Sequence, residues 1–244
     1  MLSQTGYDYA RSHRILEICA ITGLLTCWVW LAWRIVFNAT GVGDWAVVGA
    51  SMLFGYVFAD FSSGFVHWMA DRYGTIDTPV AGPNFVRPFR EHHEDPKGIT
   101  RHDFIETNGN NSIVCLPVAL VVLLGVANDP GSALILALFG FTLSLCLSVF
   151  DTNQFHKWAH TDDPPPAVRT LQRLGLILDI DHHQIHHTPP FETYYCITTG
   201  WLNWLLFKLH FFPITEWLVE RTLGIRAGVH GPYASKKAPS LSEI

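Results

Sequence analysis

Long apolar runs separated by polar stretches set the pattern of this chain. Residues 1–14 are polar and carry Arg11, His13 and Arg14. Ile15 to Phe37 is then apolar except for Glu17 and Arg34 near its ends. At about 1.5 Å per residue such a run crosses about 30 Å of hydrocarbon. It is also too long for the apolar part of a signal peptide, so it is expected to stay in the bilayer as a helix. A short turn over 38–44 leads to a second run, Trp45 to Met69, which contains Asp60 and carries His67 near its end. The stretch 71–111 is polar. A third run, Ser112 to Ala127, is short and holds Pro117; Asn128-Asp129-Pro130-Gly131 is a tight turn signal. Leu134 to Phe150 is the fourth run, and its helix can continue into His156 and His160. These patterns predict spans at about 15–37, 45–69, 112–127 and 131–150. Beyond them the pattern is mixed, and Pro164-Pro165-Pro166 marks a loop. Tyr194 to Phe212 is aromatic but interrupted by Gly200, Asn203 and Lys208, which predicts a helix lying in the membrane interface. Residues 228–244 read as a flexible tail. The expected fold is an all-α integral membrane protein, one domain over 1–244. It has four transmembrane helices and a helical cap built from 71–111 and 151–227.

Composition agrees with a membrane protein. The chain is 49% apolar and only 15% charged, with nine Trp and sixteen Phe to form aromatic belts. The net charge of −5 and the lack of any basic run exclude nucleic acid as a partner. The cysteines Cys19, Cys27, Cys115, Cys146 and Cys196 are scattered, which implies lone thiols and no disulfide framework. Lys and Arg set the orientation. With the amino terminus inside, every one except Arg34 falls on the cytoplasmic side or at its edge, and the outer turns 38–44 and 128–131 contain none. Arg34 can snorkel to the outer surface. Both termini are therefore expected in the cytoplasm.

The candidate chemistry lies in histidines. His182, His183, His186 and His187 fall within six residues; on a helix, residues four apart share a ridge, so two adjacent ridges form a face broad enough for two metal ions. His67 ends the second run with Asp71 one turn on, His92 and His93 follow, then His102, then His156 and His160 at i and i+4. All ten fall on the side that Lys and Arg assign to the cytoplasm, although they played no part in setting the topology. Two octahedral ions sharing ten imidazole nitrogens leave room for dioxygen, which suits redox-active iron. Zinc fits less well, since it takes four ligands, often thiolates, and no pair of Glu-x-x-His motifs of the carboxylate-bridged kind is present. Asp71 is either a ligand or the carboxylate that orients His67. Asp60 should face a polar interior, and Asp179 and Asp181 can orient ligands, Asp181 alternatively capping its helix. Arg87, Arg90 and Arg101 suit a lipid phosphate, or serve only as membrane-edge anchors. Asn108 is a candidate tether for a water at the metals. His13, His210 and His230 fit no motif, and Trp201, Trp204, Phe207, Phe211 and Phe212 read as interfacial anchors.

Several stretches carry a resemblance. His67-Trp68-x-Ala70-Asp71, the run from Arg87 to Pro96 (RPFREHHEDP) and the run from Ile99 to Gly109 (ITRHDFIETNG) are the first of them. His156-Lys157-Trp158-x-His160, His182-His183-x-Ile185-His186-His187, Glu192-Thr193-Tyr194 and Cys196 to Asn203 (CITTGWLN) complete the set. In order and spacing they resemble the plasmanylethanolamine desaturases, the lipid-desaturase family that makes the vinyl ether of plasmalogens. The match runs from about residue 60 to 204 and leaves out the first span and the tail. The resemblance implies a membrane enzyme with two Fe ions that removes two hydrogens from the 1-O-alkyl chain of an ether phospholipid. Dioxygen and two electrons are consumed and water is released. No flavin or dinucleotide fingerprint and no iron–sulfur spacing occurs in the chain, so a separate electron-transfer protein of cytochrome or ferredoxin type is implied. The membrane would be a bacterial inner membrane or the endoplasmic reticulum. Three alternatives stand beside this reading: a di-iron hydroxylase or desaturase of another lipid, a metal transporter, and a haem-binding membrane cytochrome.

Overall fold

The computed structural model describes residues 11–73, 78–79, 82, 86–125 and 132–228. It is helical, and among the described residues four helices are long and apolar enough to cross a membrane: α1 (Arg11–Asn38), α2 (Val42–Arg72), α4 (Phe104–Gly125) and α5 (Ala133–Ala159). Between α2 and α4 lies the short helix α3 (Arg87–Glu94). After α5 come α6 (Pro166–Arg173), α7 (Ile180–His186), α8 (Asn203–Lys208) and α9 (Phe211–Leu223). The chain divides into two compact units, one of residues 1–60 and 102–157 and one of 61–101 and 158–244.

The first unit holds α1, α4, most of α2 and most of α5. Its core pairs Ile21, Leu24 and Cys27 of α1 with Cys115 and Ala119 of α4 and Cys146 and Phe150 of α5. A second cluster joins Leu31 and Ile35 of α1, Val48 of α2, and Leu136 and Phe139 of α5. The outward faces are equally apolar: Val29, Trp30, Leu53, Phe54, Val121 and Leu134 are all exposed. Helices that are apolar both inside and outside are stable in lipid, where their backbone bonds are satisfied within each helix. Polar residues turn inward instead. Asp60, Asn108, Ser112, Ser148 and Thr152 are buried, and Ser148 and Thr152 donate to the carbonyls of Ser144 and Ser148 at 2.7 and 2.8 Å.

These inward contacts explain why α4 begins eight residues ahead of its apolar run. Asn111 donates to Val149 O at 2.7 Å, and Asn153 donates to Thr107 O at 3.1 Å, so the polar first turns of α4 are tied to α5. Asp103 caps α4 by accepting from the N–H groups of Ile105 and Glu106, each at 3.0 Å. Asp103 also pairs with Arg14 of α1 at 2.7 Å. α5 runs past Phe150 to Ala159, so it carries His156, and His160 follows directly. The expected turn at 128–131, the first residue of the expected fourth span and most of the expected tail lie outside the described residues.

The second unit packs α9 and the segment before α8 against the end of α2. Trp68, Tyr195, Cys196, Leu206 and Phe212 form its core. Arg72 fastens the assembly. Its Nε and Nη2 reach both oxygens of Glu216 on α9 at 2.7 and 3.0 Å, and its Nη1 reaches Glu192 at 2.7 Å. Trp68 Nε1 donates to the same Glu216 at 2.9 Å. The interfacial helix expected over Tyr194–Phe212 is corrected here. Residues 194–202 are not helical, and Tyr195, Cys196 and Ile197 are buried. Helix begins only at Asn203 and breaks again at His210, which sits at φ 49° between α8 and α9. Positive φ at Tyr194 and Gly200 prevents a continuous helix through this stretch. Trp201, Trp204 and Phe207 are exposed, but Phe212 is a core residue, not a surface anchor.

Candidate metal centre

Short elements of the second unit, with the end of α2 and the end of α5, bring the histidines together. The apolar run of α2 presents His67 and, one turn on, Asp71. α3 presents His92 and His93 from adjacent positions. α7 is capped by Asp179, whose side chain accepts from His182 N at 2.8 Å. The cap expected at Asp181 therefore falls to Asp179, and Asp181 lies exposed in the first turn.

Two groups of ligand atoms result, each with all members within 4.8 Å of one another. The first is His92, His160, His183 and His187, with His156 one turn before His160 on α5. His187 Nε2 lies 3.1 Å from both His92 Nε2 and His183 Nε2. A single proton can bridge only one such pair, whereas a cation at the convergence satisfies every lone pair at once. The second group is His67, Asp71, His93 and His186. Asp71 Oδ2 lies 3.1 Å from His93 Nε2, 3.4 Å from His67 Nε2 and 3.7 Å from His186 Nε2. His186 Nδ1 faces Thr193 O at 2.8 Å and His67 Nδ1 faces Tyr195 O at 3.1 Å. A carbonyl only accepts, so both Nδ1 atoms carry the proton and both neutral rings turn an Nε2 lone pair towards a carboxylate. Lone pairs facing an anion repel unless a cation lies between them. Asp71 Oδ1 and His186 Nε2 are buried and have no hydrogen-bond partner, which fits the same requirement.

The electrostatics favour metal. Burial, reinforced by neighbouring imidazoles, holds His92, His183 and His186 well below the ordinary histidine range. Burial lowers His160 to about 4 and His187 to about 3, with His93 adding to both and His160 to His187. Neutral imidazole is the form that binds metal. The two groups adjoin: the rings of His93 and His187 are 5.3 Å apart at their centroids. The Phe89 ring lies 5.0 Å from that of His67 and the Phe191 ring 4.9 Å from that of His93.

Chain comparisons agree with this geometry. Residues 56–229 match the family model described as the lipid desaturase domain. The chain belongs to the lipid desaturase family. A plasmanylethanolamine desaturase of Myxococcus xanthus is 47% identical over 217 residues, covering 89% of this chain and 75% of the relative. Plasmanylethanolamine desaturase 1 of Mus musculus is 40% identical over 222 residues, 88% of this chain and 80% of the relative. Fatty acid desaturase 4, chloroplastic, of Arabidopsis thaliana is 34% identical over 70% of this chain and 51% of its own length. No solved structure matches the chain. Membership of the lipid desaturases makes the chain an oxidoreductase and sets aside the transporter and haem readings.

Two of the ten histidines stand outside both groups. The His102 side chain is 40% exposed, next to Glu106 at 3.6 Å, just ahead of the cap of α4. His182 turns its Nε2 to Asn203. Asp71, either a ligand or an orienting group on sequence grounds, sits among ligand atoms. Asn108 is buried on α4 and donates to Phe104 O at 2.9 Å. Arg87 meets Glu91 and Arg101 meets Asp95 within their own segments, while Arg90 reaches Tyr73 O at 3.5 Å. The carbonyls of Thr193 and Tyr195 were not foreseeable, since backbone atoms leave no residue-type signal. Asn203, in the stretch CITTGWLN, stands out in the sequence only as one polar interruption of an aromatic segment, which gives no sign that it meets His182.

Proposed function

We propose that this lipid desaturase introduces the vinyl-ether double bond into the 1-O-alkyl chain of an ether phospholipid, as the names of its Myxococcus and mouse relatives suggest. The observation that carries the reading is the pair of adjoining, buried, nitrogen-rich ligand groups. A largely buried site with room for two ions suits iron better than a closed zinc site. When bound, a pair of irons supplies the oxidising power of dioxygen. The protein's own residues do the rest. His92, His93, His156, His160, His183, His186 and His187, with His67 and Asp71, would hold the ions. Phe89 and Phe191 would keep water from the reacting chain.

One C–H bond beside the ether oxygen must be held near the metals, and a head group fixed at the membrane surface provides that positioning. Two hydrogens leave the alkyl chain, two electrons would come from a separate cytochrome- or ferredoxin-type protein and two protons from solvent, and together they reduce dioxygen to two waters. The distribution of Lys and Arg supports a centre on the cytoplasmic side, with both termini on that side. Expression in a host that lacks plasmalogens but is supplied with alkyl ether lipid tests the assignment. The expected product is an acid-labile vinyl ether seen by lipid mass spectrometry. A hydroxylated lipid, or a double bond formed in an acyl chain instead, would overturn it.

A further inference from the structure

We propose that His182 is a positioning residue, not a metal ligand. With Asn203 it clamps the segment whose carbonyls hold two of the ligands, His186 and His67. The inference rests on the metal-centre reading above. Asn203 is 2% exposed, and its amide can be oriented without ambiguity. Cys196 N–H can only donate, so the side-chain atom 2.8 Å from it is Oδ1. The other end is therefore the NH2 group, which donates to Cys196 O at 2.9 Å and to His182 Nε2 at 3.0 Å. His182 Nε2 thus spends its lone pair as an acceptor, and the neutral ring carries its proton on Nδ1. Neither nitrogen keeps a lone pair for a cation.

Gly200 confirms how closely the parts fit. A Cβ there would come within 2.5 Å of His182 Nε2, and its φ of +78° is one that side chains rarely adopt. The clamp has a direct consequence for the metal centre. Asn203 grips both the N–H and the carbonyl of Cys196, and Ile197 N donates to Ser63 Oγ at 3.0 Å. Tyr195, immediately before these anchors, and Thr193, three residues before Cys196, present the carbonyls that receive His67 Nδ1 and His186 Nδ1. The group around Asp71 therefore depends on the clamp. The group of His92, His160, His183 and His187 uses neither carbonyl.

Loss of the clamp should accordingly empty one metal position and spare the other. The full-length chain is purified in detergent, loaded anaerobically with ferrous iron, and assayed for iron per chain and for magnetic coupling by Mössbauer spectroscopy. Wild type is expected to hold two coupled irons. His182→Ala and Asn203→Ala are each expected to fall towards one uncoupled iron. His182→Gln, whose amide oxygen can still accept from Asn203, is expected to keep both. If the alanine variants fail to fold, His182→Gln decides alone, because a true ligand replaced by an amide would lose iron as His186→Ala does. Depletion of His182→Gln to the level of His186→Ala overturns the clamp, and so does retention of two coupled irons in both alanine variants. A wild-type chain that takes up no iron overturns the metal-centre reading itself, and the clamp's role falls with it.

Discussion

His187 presents one nitrogen to two other imidazoles at once, and a side chain placed in that way has little use apart from a cation. His183→Ala and His187→Ala are each expected to reduce desaturation by at least about 100-fold, the upper end of what losing an orienting partner costs. His210, exposed at the α8–α9 break, should tolerate alanine with near-normal activity. Lipid mass spectrometry on matched expression levels checks both.

The same burial makes a pH prediction for the metal-free protein. His160 and His187 titrate at about 4 and about 3 in the fold, and His92, His183 and His186 are held well below the ordinary range too. An unfolded histidine titrates at about 6.5. The unfolded chain therefore binds more protons below about 6.5, and stability falls as pH drops through that value towards 3. Thermal melts of chelated protein should show a lower Tm at pH 5 than at pH 7.5. A flat profile would show that these rings do not need to be neutral in the fold. Spacing along the sequence marks which residues are suited to bind metal, because that follows from residue type and helix period. It cannot separate a ligand from an orienting ring, and this is why His182 and His102 are indistinguishable from the others until the partner of each nitrogen is known.

At the scale of elements, the end of α2 does several jobs within a few turns. Ser63 and Gly64 receive the backbone of Ile197 and Cys196, His67 and Asp71 lie in the ligand cluster, and Arg72 fastens α9. A Cβ on Gly64 would overlap Cys196 Sγ and come within 3.0 Å of Cys196 N. Gly64→Ala should therefore destabilise the fold by about 1–3 kcal/mol, the usual cost of overpacking, and Cys196→Ala should restore part of that loss. Arg72→Met leaves Glu216 and Glu192 without their cation; because both carboxylates are partly exposed, the loss should be about 1–3 kcal/mol, between that of a surface pair and a buried one. Detergent-based thermal shifts measure both effects. The apolar runs mark the spans because lipid demands them. The true start of α4 is hidden in the sequence, since Asn108 and Asn111 look like loop residues until their amide bonds are seen. The break at His210 is hidden likewise, because a single left-handed residue leaves no periodic trace.

For the whole molecule, the proposed topology puts the 38–44 turn and the metal centre on opposite faces of the membrane. With native thiols replaced by serine, Thr40→Cys should react with an impermeant maleimide from outside, and Asp162→Cys only after permeabilisation. The opposite pattern would reverse the orientation. The backbone grip on the rings of His67 and His186 has a further consequence. Those two rings take their bearings from peptide carbonyls and not from the ion, so a chelator removes the cargo but leaves the mould standing. Recharging should then be quick and first-order in added iron, without the lag of a chain that must rebuild its own receptacle.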